Sequence, residues 1–178
     1  MMNKLNTIVS VLIFLSAWIS TAVFAASDGT LGATSSGTSD VTLTINDLVR
    51  ITGVDDIALG AYGGSGALTG QSEYCVFRNG GDNYKLNLTS TGGVFQVVSV
   101  TTSDSIAFTV KVDGDTDASN GETLTHGVDS AAMVGSPSLT CSSSDNASMY
   151  VSFAEADMLA VTTASDYQAT ITLLVSPI

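Results

Sequence analysis

The sequence predicts an all-β fold, an antiparallel sandwich, and three observations carry that expectation. Apolar residues recur with a period of two in short runs rich in Val, Ile, Thr, Tyr and Phe. No stretch carries the i, i+3, i+4, i+7 apolar stripe of an amphipathic helix. Gly, Ser, Asp and Asn cluster between the runs, and these residues tolerate the positive φ that tight turns need.

The runs follow one another along the chain. Val41, Leu43 and Ile45 alternate with Thr42 and Thr44, which predicts a strand. Leu48, Val49 and Ile51 offer an alternative first strand close behind it. Tyr84, Leu86 and Leu88 alternate with Lys85, Asn87 and Thr89, and Phe95, Val97 and Ser99 share a face. Ile106, Phe108, Val110 and Val112 predict one strand over 106–112, and Met149, Val151 and Phe153 another. Tyr167, Ala169, Ile171, Leu173 and Val175 predict a single terminal strand. Alternation of this kind fits sheets with one face in a core and the other in water. Residues 154–158 predict one helical turn.

The N-terminus reads as an export signal spanning 1–25. One charge, Lys4, precedes an apolar stretch over 7–19, and Val23-Phe24-Ala25 supplies small residues at the −3 and −1 positions of a cleavage site. The stretch is shorter than the roughly 20 residues of a spanning helix, so no stable membrane insertion is expected after cleavage. Residues 26–40 are mostly Ser, Thr, Gly and Ala and read as a flexible arm. Residues 41–178 then form a single β-sandwich domain. Four basic residues stand against 17 acidic ones after residue 25, a net charge of −13. Such a balance repels phosphate backbones, so nucleic acid is not an expected partner.

Catalytic and cofactor chemistry find little purchase. The one histidine, His126, is the only base available for a Ser-His-Asp arrangement, and its Thr125-His126-Gly127 context reads as a surface loop. Asp113, Asp115 and Asp117 match the first ligand positions of an acidic calcium loop. Ala118 then stands where glycine is needed, and Leu124 where a bidentate Glu is needed. The segment reads as a solvated hairpin loop, and neither metal nor cofactor is expected. Cys75 and Cys141 are an even pair in an exported chain with no CxxC spacing, which predicts a disulfide.

Several segments, in order, are similar to those of bacterial chaperone–usher pilus major subunits, close to the spore coat protein U-like and archaic branch. Asp40-Val41-Thr42-Leu43-Thr44-Ile45 resembles their N-terminal strand. Asp56-Ile57-Ala58-Leu59-Gly60-Ala61-Tyr62 resembles an early strand and turn. Tyr74-Cys75-Val76-Phe77-Arg78-Asn79, followed by Asp82-Asn83-Tyr84-Lys85-Leu86-Asn87-Leu88, resembles the cysteine strand and its successor. Residues 166–177 resemble the terminal strand, with Tyr167 opening a Thr/Leu/Val run. One departure is that this chain has no cysteine before Cys75.

The resemblance implies an immunoglobulin-like sandwich that lacks one strand and is completed by a neighbour's N-terminal segment. Val41, Leu43 and Ile45 are then the donor-strand anchors. The implied partners are identical subunits, a periplasmic chaperone and an outer-membrane usher, and the destination is a cell-surface fimbrium. A free-standing secreted or surface β-sandwich that binds a ligand, a simple adhesin, is the alternative.

Overall fold

A computed structural model describes residues 26–162 and 164–178. The expected signal segment lies outside the described residues. The chain divides into two units, Met1–Ile45 and Asn46–Ile178.

The second unit is all-β, as the alternation predicts. Its strands are β1 (Val49–Thr52), β2 (Leu68–Arg78), β3 (Asn83–Ser90), β4 (Gln96–Ser99), β5 (Ser105–Ala107), β6 (Thr109–Asp113), β7 (Glu122–Leu124), β8 (Met133–Val134), β9 (Ala147–Phe153), β10 (Tyr167–Gln168) and β11 (Ile171–Pro177). One short helix, α1 (Glu155–Ala160), stands where a helical turn was predicted. All pairings between the strands are antiparallel. A five-stranded sheet has the order β1-β2-β9-β6-β7, and two three-stranded sheets have the orders β10-β4-β5 and β11-β3-β8.

The layers meet in one core. Tyr74 and Val76 of β2, Val110 and Val112 of β6, and Met149 and Val151 of β9 pack in one cluster with Tyr84, Leu86 and Leu88 of β3. The predicted inward residues of β3, β6 and β9 are all buried. This is a sandwich-like arrangement: each sheet hides one apolar face against the other and leaves the alternate residues toward water.

Two predicted strands are each split in two. The run over 106–112 leaves β5 and enters β6, changing sheets at Phe108. The Phe108 amide still donates to Phe95 O (3.1 Å), while Thr109 already pairs with Ser152 of β9. The terminal run pairs with β4 at Tyr167 and Gln168, then with β3 from Ile171 onward. In both cases the apolar alternation runs through the change unbroken, as strands that turn a sandwich corner allow. A third expectation is corrected at 56–62, which forms no strand. Ile57, Leu59 and Tyr62 still pack on the core. Ile57 and Leu59 lie over Gly70 of β2, where any Cβ would strike them.

The first unit is described from residue 26. Ser27 and Thr38 form an isolated antiparallel bridge, with the Ser27 amide on Thr38 O (3.1 Å) and the Thr38 amide on Ser27 O (3.0 Å). Residues 41–48 lie in no strand, so the strand predicted at Val41, Leu43 and Ile45 is not formed. The first strand is instead Val49–Thr52, the alternative that Leu48, Val49 and Ile51 had offered.

Candidate assembly surface

The terminal strand has an unusual environment for a core strand. Ile171, Leu173 and Val175 point inward, but all three are only half buried. Their cross-strand partners on β3 include Leu88, opposite Leu173, and Leu86, opposite Val175, and both are wholly buried. Tyr167 and Ala169 repeat the half-buried condition. Among the described residues strand β11 pairs only with β3, so no described strand lies beside its second edge. Strand β1 likewise pairs only with β2 and comes close to β11 without pairing to it. Ile51 of β1 is half buried against the same core. Among the described residues the sandwich therefore has an open seam along β11, with apolar side chains beneath it and no strand paired at its rim.

The arm extends to Ile45, where the first unit ends, and it carries the converse. Val41, Leu43 and Ile45 are 94%, 83% and 73% exposed, and Leu31 is fully exposed. Exposed apolar residues are common singly. Three at alternate positions of one segment fall on one face, an apolar ridge, when the segment is extended.

Arg78 is the buried basic residue at the end of β2. Its Nη1 pairs with Asp47 Oδ1 (2.9 Å) and donates to Asn79 Oδ1 (3.0 Å). Its Nη2 donates to Ile178 O (3.3 Å), and its Nε to Asn83 O (3.4 Å). A buried guanidinium is tolerable only with such acceptors around it. Asn79 completes the cluster. Its side chain accepts from the Leu48 amide (2.9 Å) and donates to Asn46 O (3.0 Å), while its own amide donates to Leu48 O (3.1 Å). Asn46, Asp47 and Leu48 are thus fixed to the body although they belong to no strand. Sequence reasoning missed this cluster. The only local signal was the Asn79-Gly80-Gly81-Asp82 turn, which does not announce a buried arginine beside it.

The predicted disulfide is present between Cys75 of β2 and Cys141, with 5.8 Å between their Cα atoms. Cys141 opens a single 3-10 turn, Cys141–Ser143, ahead of β9, rather than lying in a late strand. Cys141, Ser142 and Ser143 all have positive φ (48°, 56° and 66°), a left-handed run that non-glycine residues adopt at a cost.

The acidic loop is a β6–β7 hairpin connection, and its carboxylates serve the loop itself. Asp115 Oδ1 accepts the Asp117 amide (2.7 Å), and Asp117 Oδ1 accepts the Ser119 hydroxyl (2.6 Å) and amide (3.0 Å). Those Ser119 bonds hold the Asp117 carboxyl below its ordinary range. His126 accepts the Ser90 amide on Nε2 (2.8 Å) and meets Phe95 edge-on, which gives it a structural part at the end of β3. Among the described residues no group of three or more His, Cys, Asp or Glu is placed to hold a metal ion. No protein-family model matches the chain, and no curated protein does either.

Proposed function

We propose that this chain is a structural subunit of a surface pilus, built by strand addition between identical copies. Val41, Leu43 and Ile45 of one copy lie along the open edge of β11 in the next and complete an immunoglobulin-like sandwich that lacks one strand. One observation carries the reading: the inward residues of β11 are half exposed beneath an unpaired edge, while the same chain presents a surplus apolar ridge in a segment outside every strand. Strand addition uses both terms. Main-chain hydrogen bonds satisfy the edge, and alternate side chains fill the spaces below it. Burying each anchor contributes about 1.5–3 kcal/mol.

Such a subunit is exported, loses residues 1–25, and meets a periplasmic chaperone that covers the open seam until an outer-membrane usher passes it to the growing fibre. The Cys75–Cys141 disulfide suits an oxidising compartment. No helix among the described residues is long and apolar enough to cross a membrane.

The test is to remove 26–45 and return those residues as a free peptide. The truncated protein is expected to melt at a higher temperature with the peptide than without it. The full exported protein is expected to run as a ladder in unboiled gels. A stable truncated monomer whose melting ignores the peptide, with a single band for the full chain, overturns the proposal in favour of a free-standing domain.

A further inference from the structure

The way the arm is rooted constrains where a neighbouring copy must sit; this inference rests on the polymer reading above. Asn46, Asp47 and Leu48 are held to their own body by Asn79 and Arg78 through the bonds already described. Ile45, the last apolar residue of the arm, is only two residues from Asp47. Two residues of extended chain span at most about 7 Å. When Ile45 is seated in the next copy, that copy must therefore press against the surface around Arg78.

That surface carries exposed apolar side chains beside the polar Asp47 and Asn83. Leu48 is 56% exposed, Val134 64% and Ile178 56%. They converge on the Arg78 cluster from three segments. Leu48 is bonded to Asn79. Val134 stands opposite Asn83 in the β3–β8 pairing, and the Ile178 amide donates to Asn83 O (3.3 Å) from the other side of β3. The next residue on β3, Tyr84, points into the core. Asn83 and its flanking Val134 therefore face outward. The one charge pair at the cluster, Arg78 with Asp47, is mutually compensated.

We propose that Leu48, Val134 and Ile178 form a lateral contact with the neighbouring copy that receives the arm. The fibre is then held at each joint by an abutting apolar surface as well as by the inserted strand.

A benzophenone photo-cross-linking residue placed at position 134 of the full chain, in assembled fibres, tests this. Position 100 is the control, because Val100 is 51% exposed and lies beyond Tyr167, at the far end of the terminal run from Ile178. Illumination is expected to give a boiling-resistant dimer from position 134 at least tenfold more abundant than from position 100. Six Gly/Ser residues inserted between Ile45 and Asn46 should leave the unboiled ladder intact and abolish that dimer. A ladder with no excess cross-linking at 134, or cross-linking that survives the insertion undiminished, overturns the contact and leaves the polymer reading standing. Absence of any ladder overturns both.

Discussion

Arg78 is the residue on which the body closes. It is 3% exposed, and beyond the adjacent Asn79 its acceptors are Asp47, Asn83 and Ile178, respectively 31, 5 and 100 positions away. Asn79 beside it imitates a strand partner, offering one acceptor and two donors to Asn46 and Leu48. Replacing Asn79 with Ala removes the side-chain half of that arrangement. The expected cost is about 1–2 kcal/mol, measured by urea unfolding of the full chain. Asn79→Asp keeps the acceptor for the Leu48 amide and loses the donor to Asn46, so it should fall between the two. A second residue-scale expectation concerns alkali. Burial pushes the hydroxyls of Tyr74 and Tyr84 far above the ordinary tyrosine range, with Tyr84 adding to the effect on Tyr74 and Asp113 to that on Tyr84. In the unfolded chain both ionise near pH 10. Above about that pH the unfolded state sheds protons that the folded state keeps, so stability is level below about pH 10 and falls as pH rises beyond it. Tyr74→Phe should make that decline shallower. The Tyr74 hydroxyl has only a 3.4 Å contact, to Ser148 O, so the substitution should cost less than about 1 kcal/mol at neutral pH.

Among the elements, β11 and the arm segment 41–45 are the pair that matter. Leu43→Asp places a charge in the middle of the apolar ridge. It should abolish the ladder in unboiled gels and leave the melting temperature of the truncated body untouched by added mutant peptide. A fall of several degrees in the melting of the full-length monomer would instead make 41–45 a strand of its own body. The phase of β3, β6, β9 and β11 was legible in the sequence, because alternation reports the pleat and nothing else, whereas β2 is buried on both faces from Tyr74 to Arg78 and carries no such alternation. That is why Ile106, Phe108, Val110 and Val112 are all buried as expected although Phe108 is a corner between two sheets. The side-chain period does not record which strand lies alongside, so the breaks at Phe108 and after Gln168 were not legible. The same limit applies to Val41, Leu43 and Ile45. Their alternation marks a segment suited to a sheet, but the sheet it suits need not belong to its own chain. The Arg78 cluster was hidden for a different reason: one charge at a strand end has no period, and its acceptors lie up to 100 positions away.

Across the whole molecule, stability rests on a core shared by both layers and on one covalent tie. The Cys75–Cys141 bond closes a span of 66 positions and holds the left-handed turn at Cys141, Ser142 and Ser143 against β2. In the chain-entropy view a loop of this length is worth about 4 kcal/mol, a large share of a typical domain's stability. Paired Cys75→Ser and Cys141→Ser substitutions should lower the unfolding free energy by about 2–5 kcal/mol, read from denaturant midpoints. The surface opposes compaction, since 17 acidic residues face only four basic ones after residue 25, and Arg78 among those four is withdrawn into the interior.

The meeting of Asp47 and Ile178 on one guanidinium also sets an order of events in time. A chain is made from its N-terminus. The arm and Asp47 therefore arrive first, and Arg78 follows soon after. The Ile178 oxygen that shares the guanidinium arrives 100 positions after it, together with the strand that closes over β3. Until then Arg78 lacks one of its acceptors, and Tyr84, Leu86 and Leu88 lack the strand paired beside theirs. The body therefore closes only once β11 is in place beside β3.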